Sequence, residues 1–175
     1  MNRSLHAIAS LLLTGGTFSA ANAAPPDYPP RKPGLWEMKM SQPDAPEGKP
    51  HVVQQCIDAR TDAAMREMGG GASRQACSRQ DTRKEGGKIV VDSVCQMGAT
   101  TLTSHSEVSG DFGSSYRMES HTTYDPPMAG RAKGSAVMEA KWLGPCKAGQ
   151  KPGDMVMPDG RTMNFMDMKP IPKKK

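Results

Sequence analysis

A chain of 175 residues with 36% hydrophobic and 5% aromatic residues has material for one modest domain, and its 14 methionines carry much of the apolar load. The formal charge of +5 is unevenly placed: residues 24–146 hold 15 Lys/Arg against 15 Asp/Glu, and residues 147–175 hold seven against three. A nucleic-acid reader gathers basic residues on a folded face beside aromatics, so this distribution argues against nucleic acid as a partner.

In chain order, residues 1–23 have the three parts of a secretory signal: Arg3, an apolar run around Ile8 to Leu13, and Ala21-Asn22-Ala23 as the cleavage pattern. No later stretch approaches the roughly 20 apolar residues of a membrane helix, so a mature chain without a transmembrane segment is expected. Residues 24–33, with five prolines, read as an extended linker. Leu35–Met40 alternates, with Trp36, Met38 and Met40 on one face and Glu37 and Lys39 on the other, and a proline-rich stretch (41–50) leads to a second strand ahead of Cys56. A short helix follows, capped by Asp58 or Thr61, running through Ala63–Met68 and stopped by Gly69-Gly70-Gly71.

From Cys77 to Cys95 the chain reads as a hairpin centred on Gly86-Gly87. A three-residue loop, Glu85-Gly86-Gly87, sets Lys84 opposite Lys88 and Cys77 opposite Cys95; a two-residue loop instead leaves Cys77 opposite Gln96. A second hairpin spans 100–124. With Asp111-Phe112-Gly113 as its loop, Val108 faces Tyr116, Leu102 faces Thr122, Glu107 faces Arg117, and His105 faces Glu119. The last strand, Ser135–Trp142, places Ala136, Met138, Ala140 and Trp142 on one side. Beyond Cys146, residues 147–175 show Gly/Pro breaks and no sustained period, the mark of a loosely held tail. The expected fold is all-β: a curved antiparallel sheet or partial β-barrel of about six to seven strands over 34–146, with one short helix and disulfide staples.

Four cysteines without C-x-x-C spacing point to disulfides rather than a zinc or redox site. The hairpin register pairs Cys77 with Cys95, which leaves Cys56 for Cys146. On the polar face, His105 and His121 are diagonal neighbours within reach of one metal if Glu119 supplies a third ligand; solvated histidines are the simpler reading. No nucleophile elbow, zinc-protease motif, P-loop or dinucleotide fingerprint occurs, so neither a catalytic residue nor a cofactor is expected and the chain does not read as an enzyme. The thioethers of Met155, Met157, Met163, Met166 and Met168 form a soft-metal candidate, Cu(I) above all. An apolar face of Trp36, Met38, Met40, Met118, Met138 and Trp142 is either core or a surface for a lipid or hydrophobic peptide.

The succession PGLWEM (33–38), QQCI (54–57), a Cys-flanked hairpin, Gly110-Asp111 and WLGPC (142–146) resembles the domain of unknown function 3617 family. The tail motif PGDMVMPDG (152–160) is similar to that of one subgroup. This resemblance implies an exported, periplasmic protein of a Gram-negative bacterium and no assigned activity. Three roles follow as expectations: a binding domain for a hydrophobic ligand or peptide, a copper binder, or an inhibitor or partner of an envelope enzyme displayed on the Gly110–Gly113 turn. N-terminal sequencing of periplasmic protein is expected to find Ala24 first; a retained Met1 contradicts export by cleavage.

Overall fold

The computed structural model describes residues 27–45 and 49–168. The expected signal peptide, its cleavage site and the start of the expected linker lie outside the described residues. Seven strands make the body: β1 (Gly34–Ser41), β2 (His51–Ile57), β3 (Cys77–Glu85), β4 (Lys88–Met97), β5 (Thr100–Asp111), β6 (Ser115–Met128) and β7 (Arg131–Gly144). Helix α1 (Ala59–Ala76) connects β2 to β3, and two three-residue strands, β8 (Asp154–Val156) and β9 (Thr162–Asn164), follow the body. Every pairing is antiparallel, in the order β3-β4-β5-β6-β7-β1-β2-β8-β9. The sheet is open, with β3 and β9 as its edges, and does not close into a barrel.

Period-2 alternation gives one apolar face. Trp36 lies opposite Trp142, Met38 opposite Ala140 and Met40 opposite Met138 across β1–β7. Trp36 is fully buried and joins Ile57, Ile89, Val91, Val108, Tyr116 and Ala140 in the core. Its indole N–H donates to the Lys32 carbonyl at 2.8 Å, which satisfies the ring's polar atom.

Both hairpin registers differ from expectation, for identifiable reasons. The β3–β4 loop is the two-residue Gly86-Gly87, both at positive φ (56° and 78°), as the twist-matching hairpin turn requires. Glu85 therefore faces Lys88, and Thr82 faces Val91. A register shift between Cys77 and Arg79 then inserts Ser78 as a bulge and restores Cys77 opposite Cys95. In the β5–β6 hairpin the Asp111 carboxylate accepts from Gly113 N and Ser114 Oγ, both at 2.8 Å, and the loop becomes Phe112-Gly113-Ser114. Val108 thus faces Met118, Leu102 faces Tyr124, and Glu107 faces Glu119. The two carboxylates are offset by Lys88, which donates to Glu107 at 2.6 Å, and by Arg117, which pairs with both Glu119 and Glu139. The shift is two residues, so every side chain keeps the face expected for it.

The helix is longer than expected. Asp58 caps it with a reciprocal Asp58–Thr61 capping box, and it continues through Gly69-Gly70-Gly71 to Ala76, 18 residues in all. None of these glycines takes a positive φ. A helical glycine costs roughly 1 kcal/mol relative to alanine, a cost that tertiary anchoring overrides here. The anchors are the Cys56–Cys146 bridge just before α1 and the Cys77–Cys95 bridge immediately after it.

Residues 147–168, expected as a loose tail, are docked. β8 adds to β2, Gly153 N donates to the Cys56 carbonyl at 2.8 Å, Phe165 is buried, and a 3-10 turn (Phe165–Asp167) closes the segment. Three-residue strands are too short to show a period, which is why the sequence looks structureless. The described part of the linker is docked too: Lys32 N donates to the Phe112 carbonyl at 3.0 Å, and Lys32 Nζ sits 3.6 Å from the Trp142 ring centroid.

A Cβ at Gly69 meets nothing within 4 Å, and at Gly71 only the tip of Arg74 at 3.9 Å. Gly69→Ala and Gly71→Ala are each expected to stabilise the protein by about 0.5–1 kcal/mol in urea unfolding. Destabilisation by both contradicts a helix continuous through the glycines.

Candidate functional site

α1 leaves the sheet at β2 and rejoins it at β3, and these strands stand six inter-strand steps apart. At about 4.8 Å per step the arc between them is roughly 29 Å long. An 18-residue helix spans about 27 Å. α1 is thus long enough to cross most of that distance, and residues of both the helix and the inner face surround a space that side chains do not fill. It forms a cavity of about 640 Å³, within the range of small-molecule sites.

The sheet supplies Met38, Gln55, Val91, Val108, Tyr116, Met118 and Met138 to this cavity; α1 supplies Asp62, Met65, Arg66, Met68, Gly69, Gly70 and Ser73, one side of the helix. The tail adds Met155, Phe165 and Met168, and the N-terminal segment adds Tyr28, Pro29 and Arg31. Phe112 leans in from the β5–β6 turn and stacks on Tyr116 at 4.4 Å and Tyr28 at 6.3 Å between centroids. Met, Val and aromatic side chains make most of the wall. The thioethers are polarizable and adaptable, which suits a wall that must fit an irregular guest.

The polarity changes along the cavity. From the row of Ser93 to the row of Tyr116 is six residues along β5, about 20 Å. The first end carries the hydroxyls of Ser93 and Ser106, the latter donating to Ser120 at 2.9 Å, and among the described residues Gln80 Oε1 is buried without a partner. The other end holds a buried charge cluster. Asp62, 1% exposed, accepts from Arg31 Nε at 2.7 Å, from Arg31 N at 3.1 Å, and pairs with Arg66 Nε at 3.3 Å. Burial pushes the Tyr28 and Tyr116 phenols above their ordinary value, with the Arg31 guanidinium partly opposing this at Tyr116, so both stay neutral at physiological pH.

Of the six apolar residues expected to share a face, Met38, Met118 and Met138 line the cavity. Trp36 lies in the core, Trp142 is covered by Lys32, and Met40 is 41% exposed beyond the cavity. The candidate thioether ligands are divided: Met155 and Met168 line the cavity, Met157 is half-buried outside it, and Met163, Met166 and Met168 are all exposed to solvent. Arg31, Asp62, Met65, Phe112 and Phe165 were not foreseen as a group. Asp62 and Arg66 carry an i,i+4 pairing signal, but nothing in the sequence brings Arg31 to them. The Gly110–Gly113 turn tucks Phe112 inward instead of displaying it.

On the outer face, a second depression of about 670 Å³ lies around Asp92, His105 and His121. Its polar groups answer one another. His105 and His121 are directly opposed, not diagonal, because of the two-residue register shift. Glu119 is a row away beside Glu107, and no group of three or more metal-ligating His, Cys, Asp or Glu side chains occurs among the described residues. His105 Nδ1 is 2.7 Å from Asp92 Oδ1, and its Nε2 is 3.7 Å from Glu107 Oε1. Asp92 above all raises the His105 pKa, and the Asp92 carboxyl is lowered, first by Arg83 and then by His105.

The arrangement defines an open antiparallel sheet bridged by a disulfide-anchored helix over a Met-rich cavity. The chain belongs to the family described as protein of unknown function, DUF3617, whose model matches residues 31–146. No curated protein and no solved structure matches it. The matched region includes Arg31 and ends at Cys146, so it covers the body and both bridges.

In NMR titration, the His105 imidazole is expected to titrate above the ordinary value near 6.5 and to fall back toward it in Asp92→Asn. The interaction favours the protonated ring, so its contribution is complete below the unfolded-state pKa and disappears as pH rises through the raised one. An unchanged His105 titration in the variant contradicts the pairing.

Proposed function

We propose that this protein is a non-enzymatic binding protein of the periplasm that holds an apolar or amphiphilic small molecule between α1 and the inner face of the sheet. The observation that carries this reading is the cavity of about 640 Å³ walled largely by methionine and aromatic side chains. Methyl and ring surface facing so large a space forfeits packing that a guest would restore. Two disulfides fit an oxidising compartment. No helix among the described residues is long and apolar enough to cross a membrane. Export itself rests on the signal-like segment at residues 1–23.

The neutral fluorophore N-phenyl-1-naphthylamine tests the reading. It is expected to bind one per chain with enhanced emission, and Met118→Trp, which fills the cavity's middle, is expected to abolish the signal while the cooperative thermal transition persists. Met163→Leu, at the surface, is expected to bind as the parent does. No binding by the parent, or unchanged binding by Met118→Trp, overturns the proposal.

A further inference from the structure

The cavity's charge is not balanced. Three charged side chains line it, Arg31, Asp62 and Arg66, so the lining carries one net positive charge. One carboxylate is shared by two guanidiniums, its oxygens taken at 2.7 Å by Arg31 and 3.3 Å by Arg66. Arg31 is 9% exposed, yet the partners of its outer nitrogens are poor. Nη1 reaches Gln55 Oε1 at 3.2 Å and Met38 Sδ at 3.7 Å, Nη2 reaches Met65 Sδ at 3.3 Å, and the neutral Tyr116 phenol lies beside the guanidinium. A thioether is a weak acceptor, and a buried guanidinium facing sulfur gains far less than one facing an oxyanion. With both lining phenols neutral, among the described residues no other anion in the cavity wall pairs with Arg66, whose side chain is 38% exposed and otherwise reaches only the Tyr28 carbonyl at 3.4 Å.

The apolar path leads away from this cluster. Val108, Met118 and Met138 form one cross-strand row beside it, and Val91 the next. A guest with one anionic end and one alkyl chain satisfies both features. We infer that the ligand is an anionic single-chain amphiphile, its carboxylate or equivalent oxyanion held by Arg31 and Arg66 and its chain laid along Val108, Met118 and Met138. This rests on the cavity-binding reading and adds the head-group chemistry to it. Asp62 is a positioning residue: it fixes the Arg31 fork through Nε, so that Nη1 is left to Gln55 and Nη2 to the Met65 thioether of the cavity wall.

The test compares dodecanoate with dodecan-1-ol, which share a chain and differ in charge, as displacers of bound N-phenyl-1-naphthylamine at pH 8, low salt and below micelle formation. The parent is expected to prefer dodecanoate by about ten-fold, as for a charge-assisted hydrogen bond. Arg66→Gln removes the net charge while leaving the Arg31–Asp62 pair, and is expected to cut that preference several-fold with dodecan-1-ol affinity unchanged. Arg66→Lys is expected to retain most of it. Equal affinity of the two ligands for the parent, or an undiminished preference in Arg66→Gln, overturns the head-group inference while probe binding still supports the cavity. Failure of the probe and both ligands to bind overturns the cavity reading itself.

Discussion

The constraint on which the rest of the structure depends is the covalent fixing of α1 at both ends. Cys56 lies two residues before the Asp58 cap and is bridged to Cys146 after the last body strand; Cys77 follows the final helical residue and is bridged to Cys95 on β4. A helix of three glycines and few core contacts has little intrinsic claim to persist in water. Held between two bridges, it must cross from β2 to β3. Its two ends are set by strands on opposite sides of the body sheet, and the cavity lies between it and the sheet's inner face. The cavity follows from that geometry more than from any single side chain in its wall.

The second fastening is electrostatic. A carboxylate buried as deeply as Asp62 is tolerable only when paired and hydrogen-bonded, and two guanidiniums and the Arg31 amide meet both conditions. The pairing ties the N-terminal segment to α1, and stacking of Tyr28 on Phe112 ties the same segment to the β5–β6 turn. The cavity is thereby walled by elements far apart in sequence: residues near 30, the helix, all seven body strands and the tail at Phe165. The functional reading lives at this level, in the chemistry of a wall assembled from separate pieces.

Much of the fold was legible because its signals are local. Alternation in Leu35–Met40 and Ser135–Trp142 identified the two strands that bring Trp36 against Trp142, and the glycine pair at 86–87 identified the first hairpin. Cys77 and Cys95 are opposed as the hairpin pattern implies, but by a different route: the loop has two residues, and the bulge at Ser78 returns the pairing to register. Bulges leave little trace in a sequence. The glycine run at 69–71 misled because propensity is a local cost and the anchoring that outweighs it is not local. The tail misled because its order comes from β2 pairing and one buried phenylalanine. Of the site, the methionines on strands were readable by alternation; Arg31 was not, since a residue in a proline-rich segment gives no sign of the carboxylate it will meet 31 positions later.

Hydrogen exchange measures directly whether the two bridges hold α1 at its ends. In Cys77→Ser/Cys95→Ser, amides of the C-terminal half of α1 are expected to lose protection while those of β5, β6 and β7 keep theirs, because the released end no longer has the sheet to hold it. Unchanged protection along α1, or simultaneous loss across helix and sheet, would show that packing and not the bridges holds the helix in place.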